Sequence, residues 1–272
     1  MGQLKLKLVL FFLILIPAAI ITGIYDLEIS KSIVNQNSGW ARFLENYGMI
    51  PGLFVIMSGV YIYYSFIKSR SDIWSFFQRS IIFLVNSGLT YYLFEILFDN
   101  VVSESMILFV AISFAINLVV FITLQKRNPV TNPIIVKYSK VVVGLALWGY
   151  VLGIQIVKFF WGRVRFRELD IFLSQFTPWY SPQGLTGFDS FPSGHAAMGW
   201  MLLAVLILFE KKKFWLKELV LFLIIIWSIF LAFSRVVIGA HFASDVTFGS
   251  AYIILTYIFL QRNSKNQISN NK

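Results

Sequence analysis

The chain has 272 residues, 58% of them hydrophobic and only 13% charged, with a formal net charge of +10, two histidines and no cysteine. A soluble domain carries about a quarter charged residues, so too little polar surface is present to wet a globular core, and a water-soluble fold is excluded. The missing cysteines exclude a disulfide framework, a thiolate metal site and a cysteine nucleophile.

Apolar segments lie at roughly 6–25, 48–67, 80–98, 105–125, 141–161, 193–209, 217–235 and 243–261. Each is near the ~20 residues that cross a hydrocarbon layer of ~30 Å. The expected fold is all-α, a polytopic transmembrane helical bundle of about eight spans. The first segment follows Lys5 and Lys7 in the manner of a signal peptide, with Ala18 and Ala19 suited to cleavage. Its apolar run from Leu8 to Ile24 exceeds the usual core of about 7–15 residues, so a retained span is expected. The connection 26–47, with Trp40 and Tyr47, suits an interfacial helix. Asn86, Thr90 and Glu95 follow one another at near-helical spacing in the third span and suggest an interhelical polar contact. The connection 162–192 holds Pro178, Pro182, Pro192, Gly184 and Gly187, which predicts an ordered loop with one or two short helices. Residues 263–272 are polar and read as a frayed tail.

Lysine and arginine give the orientation. With a cytoplasmic N-terminus, Lys31, Arg42, Lys158, Arg163, Arg165, Arg167 and Arg235 face outward, and the other 16 of the 23 basic residues face inward. That is the direction of the positive-inside rule. The basic excess is therefore a topology signal, and no nucleic-acid partner is expected. Both termini are expected in the cytoplasm.

Polar residues at membrane depth need a reason, and three clusters fall at the outer face. The first is Lys158-Phe-Phe-Trp-Gly-Arg163-Val-Arg165. Lys158 and Arg165 are two helical turns apart and can face one way, unless Gly162 ends the helix between them. Arg163 and Arg167 fit better as snorkelling residues at the membrane edge. In the second cluster, Ser190-Phe-Pro192-Ser193-Gly194-His195, Pro192 suits a first helical turn. Ser193 and Gly194 would then offer backbone amides to an anion, with His195 positioned to protonate a departing oxygen.

The third cluster runs from Ser234-Arg235 to His241 and Asp245. On a helix, His241 and Asp245 share a face at i,i+4, and a carboxylate beside imidazole leaves its other nitrogen free as nucleophile or base. A His–x3–Asp pair alone is commonly a surface ion pair, and a lone histidine at a helix start is commonly structural. Converging on one face, three cations, two histidines, a carboxylate and amide donors equip a site for phosphoryl transfer by charge neutralisation and positioning.

Lys158-x6-Arg165, Pro192-Ser193-Gly194-His195 and Ser234-Arg235-x5-His241-x3-Asp245 together resemble the three signature motifs of the phosphatidic acid phosphatase type 2 and vanadium haloperoxidase superfamily. The resemblance covers about residues 140–260. One departure is Phe166, where the family usually has proline. The resemblance implies that His241 attacks phosphorus to give a phosphohistidine, oriented by Asp245. It implies that His195 protonates the leaving group and then activates water. Lys158, Arg165, Arg235, Ser193 and the Gly194 amide would hold the phosphate oxygens. No metal or other cofactor is implied, and a core of six helices is. The chain then divides into N-terminal helices (1–139), a phosphatase core (140–262) and a polar tail (263–272).

The expected function is a cell-membrane lipid phosphate or diphosphate phosphatase. Phosphatidylglycerophosphate, phosphatidic acid and undecaprenyl diphosphate all fit as substrates. A lipid phosphotransferase would carry the same motifs. A lipid transporter would need the cations but not the His–x3–Asp pair with a second histidine, and a haloperoxidase would need vanadate. Asp189 and Glu168 read as solvating residues of the outer loop. The sequence does not define the oligomeric state.

Overall fold

A computed structural model of the chain describes residues 2–67 and 73–270. Lys68, Arg70 and Lys272 of the charge distribution lie outside the described residues. Among those described, every element is helical. Helix α1 (Gly2–Ile33) is followed by α2 (Gly39–Tyr47), α3 (Ile50–Ile67), α4 (Ile73–Glu104) and α5 (Met106–Lys126). Asn132 caps the next helix by accepting from the Ile134 amide, with Pro133 in its first turn. That helix comprises α6 (Pro133–Gly144), a π-helical stretch (Leu145–Ile156) and α7 (Val157–Trp161). The loop beyond it contains a single 3₁₀ turn, Phe166–Glu168. Helix α8 (Gly194–Trp200) continues into a 3₁₀ stretch (Met201–Phe209), and α9 (Phe214–Val237) and α10 (Ala243–Asn270) complete the chain.

Among the described residues, seven helices are long and apolar enough to cross a membrane; the remaining apolar segment there is the shorter Gly194–Phe209. Its seven α-helical and nine 3₁₀ residues extend about 28 Å at the usual rises of ~1.5 and ~2.0 Å per residue. Stretching into 3₁₀ geometry thus brings a short segment close to the depth of a hydrocarbon layer.

The short segment is the centre of the molecule. Ala196, Ala197, Met198, Met201, Ala204 and Ile207 are all buried, because α3, α9 and α10 close around it. Small residues allow that approach. A Cβ on Gly52 of α3 would stand 2.6 Å from the Met198 carbonyl oxygen, and one on Gly249 of α10 only 2.4 Å from that of Ser193. Helix α1 lies against α9 and α10 and exposes Leu13, Ile14 and Ile20, as a lipid-facing helix would. Helices α4 and α5 pack together and join the rest through α3. The polar contact expected in the third span forms there: Asn117 donates to Thr90 (2.9 Å) and accepts from Tyr61 (2.5 Å). The buried side-chain amide of Asn86 has no hydrogen-bond partner among the described residues, while its backbone carbonyl accepts from the Thr90 hydroxyl at 2.8 Å.

Helix α2 covers the region read as an interfacial helix. It buries Ala41 and Leu44 and stacks Trp40 on Phe230 of α9, ring centroids 4.7 Å apart.

Candidate active site

The end of α7, the start of α8, the end of α9 and the start of α10 meet at one end of the bundle, so the three clusters form one site. Backbone bonds stitch them: Ser190 N–H to the Arg163 carbonyl, Ser193 N–H to the Asp245 carbonyl, and Arg167 N–H to the Gly239 carbonyl, each 2.9 Å.

Gly162 ends α7 in the left-handed region (φ 63°), the usual helix-terminating glycine conformation. Lys158 and Arg165 therefore do not lie two turns apart on one helix; a shared carboxylate brings them together instead. Asp189 places Oδ2 3.1 Å from Lys158 Nζ and Oδ1 2.6 Å from Arg165 Nη2. Partial burial pulls the Asp189 carboxyl upward, but the adjacent Lys158 and Arg165 charges outweigh it and hold the group below its ordinary range. Glu168 adds a longer contact to Arg165 at 3.4 Å.

A second carboxylate acts in the same way. Glu45 of α2 accepts from Arg235 Nη2 (3.0 Å) and Arg167 Nη1 (2.9 Å). Its backbone carbonyl lies 2.9 Å from His195 Nε2. A carbonyl can only accept, so Nε2 carries the proton there and Nδ1 is the nitrogen left for exchange.

The α8 start differs in detail from the sequence expectation. Its cap is Ser193, whose hydroxyl accepts from the Ala196 amide at 3.4 Å, and Pro192 precedes the cap instead of occupying the first turn. The Ser193 amide is engaged by Asp245. Of the two amides expected to face an anion, Gly194 is the one that helix geometry leaves without an intrahelical carbonyl.

His241 and Asp245 meet, though not along a helical face. Helix α10 begins at Ala243, so His241 precedes it. Asp245 Oδ2 reaches back to the Phe242 amide (2.8 Å), the reciprocal half of a capping box, and lies 3.6 Å from His241 Nδ1. Burial disfavours the imidazolium and, against the opposing attraction of Asp245, pushes the His241 pKa down to about 4. The ring is therefore neutral at pH 7.

Sequence reasoning misassigned Arg163. It does not snorkel: it is fully buried, donating to Asp245 Oδ1 (2.6 Å), Asp26 Oδ2 (2.8 Å), Ser244 Oγ (2.7 Å) and the Thr177 carbonyl (2.9 Å). The Phe242 ring lies 4.0 Å from its guanidinium carbon. Arg167, the other residue read as snorkelling, is partly exposed and paired with Glu45. Ser190 donates to Asp245 Oδ2 at 2.6 Å. Asp26, Glu45, Ser190 and Ser244 were also missed as site residues. For Asp26 a signal existed, since it is a carboxylate just beyond the apolar run of Leu8 to Ile24, where ionisable groups are rare.

Residues 137–268 match the family model of the PAP2 superfamily. No curated protein and no solved structure matches the chain.

Proposed function

Because residues 137–268 match the PAP2 superfamily and seven helices among the described residues are long and apolar enough to cross a membrane, we propose that the protein is an integral membrane phosphatase acting on a lipid phosphate or diphosphate. Members of the superfamily are phosphatases. The observation that carries the reading is the buried, neutral imidazole of His241, with Asp245 Oδ2 3.6 Å from Nδ1, beside cations already gripping carboxylates. Lys158 with Arg165, and Arg235 with Arg167, each hold one carboxylate between them. A phosphate oxygen is the same kind of ligand to such cations.

In this reading His241 attacks phosphorus through Nε2, and Asp245 stabilises the positive charge that develops on the ring. The bond to the leaving oxygen breaks, and His195, which must take up a second proton on Nδ1 with the anionic substrate bound while Nε2–H stays on the Glu45 carbonyl, supplies that Nδ1 proton to it. The same nitrogen then accepts a proton from the water that cleaves the phosphohistidine. Lys158, Arg165, Arg235, the Gly194 amide and the Ser193 segment hold the phosphoryl oxygens, so that the rate gain comes from preorganised charge. The positive-inside distribution supports a cell-membrane enzyme with its site on the outer face and both termini in the cytoplasm, taking substrate from the outer leaflet.

Purified protein is to be offered phosphatidic acid, phosphatidylglycerophosphate and undecaprenyl diphosphate in the presence of a chelator. Phosphate release that disappears in His241→Ala is expected. Full release by that variant would remove the nucleophile assignment, and release only on adding a divalent metal would remove the metal-free mechanism.

A further inference from the structure

Asp26 belongs to α1, more than a hundred residues before the PAP2 segment, yet it closes a buried chain that ends at the proposed nucleophile. Asp26 Oδ2 takes Arg163 Nη2 at 2.8 Å, and Arg163 Nη1 takes Asp245 Oδ1 at 2.6 Å. Asp245 Oδ2 then faces His241 Nδ1 at 3.6 Å. Ser244 braces the chain, its amide donating to Asp26 Oδ1 at 2.9 Å and its hydroxyl bonding both Asp26 and Arg163. Asp26, Arg163, Ser244 and Asp245 are all buried.

One guanidinium thus serves two carboxylates. If Arg163 faced Asp245 alone, the two charges would cancel, and a cancelled carboxylate does little for an imidazole gaining positive charge. With Asp26 drawing on the other arm of the guanidinium, the cluster keeps a net charge of one carboxylate. Its outermost oxygen is the one beside His241. In a low-dielectric interior such a charge acts strongly on its neighbours.

We propose that Asp26 is a positioning residue for the reaction, acting through Arg163 and Ser244 to keep the charge of Asp245 from being cancelled and its carboxylate aligned on His241. This rests on the phosphatase reading above, in which His241 is the nucleophile. It also gives α1 a chemical role that the PAP2 segment by itself does not contain.

The test uses the full chain in lipid nanodiscs, with Asp26→Asn, Asp245→Asn and the double variant. Asp26→Asn is expected to lower kcat about ten- to a hundredfold, the loss of a charge-assisted contact, with KM within about twofold. It should add nothing further in the Asp245→Asn background, because both changes break one chain. Asp26→Glu should recover part of the rate by restoring the charge. Ser244→Ala, a milder lesion, should lose at least about threefold, again without further loss beside Asp245→Asn.

A second readout does not depend on turnover. The chain has two histidines, so ¹⁵N-histidine spectra with a His195→Asn reference isolate the His241 ring. Asp26→Asn should shift the ring at neutral pH away from the Nδ1–H tautomer. Unchanged kcat, an equal loss in the Asp245→Asn background, or an unchanged tautomer would overturn the proposal. Full activity in His241→Ala would instead remove the nucleophile assignment, and no phosphate release by the unaltered chain would sink the phosphatase reading, while the tautomer shift would still decide whether Asp26 acts on His241.

Discussion

Asp189 lies across Lys158, Oδ2 to Nζ 3.1 Å, and its other oxygen is bound by Arg165 at 2.6 Å. Two of the three cations of the first sequence cluster are thus already bridged by an anion of the protein. A phosphate entering between them must displace that carboxylate. Asp189→Asn should therefore free the cations: inorganic phosphate, as product inhibitor, is expected to bind about three- to tenfold tighter, a gain of about 1 kcal/mol for a partly exposed pair. Inhibition constants measured at fixed ionic strength check this, and weaker inhibition would mean that Asp189 organises the cations instead of competing for them.

The low pKa of His241 fixes the acid side of the pH profile. An ordinary imidazole would protonate near pH ~6.5 and cease to be a nucleophile. Burial keeps His241 neutral until about pH 4. After correction for the titration of the substrate and of His195, kcat/KM should stay level through the usual histidine range and fall only on approach to pH 4. The same shift has a stability consequence. Between the two values the unfolded chain binds a proton that the native chain does not, so stability declines as pH falls through that window. Thermal midpoints across the range read it, and an activity midpoint near 6.5 would contradict the buried neutral ring.

The three clusters were legible because the residues of each are neighbours in the chain and their types are costly in a membrane. Lys158, Arg165, His195, Arg235, His241 and Asp245 all fall at one end of the bundle. What stayed hidden depends on contacts across long sequence distances. Asp26 meets Arg163 across 137 residues, and Glu45 meets Arg235 across 190; no local pattern encodes either. Arg163 was misread for a related reason. At a helix end an arginine normally reaches toward water, and only the distant Asp26 and Asp245 turn this one inward. The helix 194–209 was legible as an apolar segment, but not its 3₁₀ stretch, which no residue pattern in the segment marks.

Arg163 and Arg167 stand four residues apart and should respond oppositely to truncation. Arg163→Ala leaves Asp26 and Asp245 buried without their cation, and removing one partner of a buried pair costs about 3–5 kcal/mol. That variant should be strongly destabilised and inactive, and Arg163→Lys, lacking the fork that reaches both carboxylates, should be only partly rescued. Arg167 is partly exposed and shares Glu45 with Arg235, so Arg167→Ala should cost about 1 kcal/mol or less. Thermal unfolding in detergent separates the two cases, and equal losses would contradict the burial of Arg163.

Gly249 ties the packing of α10 to the position of His195. A Cβ there would stand 2.4 Å from the Ser193 carbonyl oxygen, too close for any side chain, and the obstacle is backbone that cannot rotate away. Gly249→Ala must push the Ser193–Gly194–His195 turn outward, away from the carbonyl of Asp245 that anchors it at 2.9 Å. Overpacking of this kind costs about 1–3 kcal/mol, and a displacement of about 1 Å at a reacting group can cost a hundredfold in rate. Gly88→Ala on α4, where an added Cβ meets nothing within 4 Å, is the matched control and should leave both properties nearly unchanged. A lower thermal midpoint together with a disproportionate fall in kcat for Gly249→Ala is the expected result. Loss of stability without loss of rate in the folded fraction would show that the α8 turn tolerates displacement.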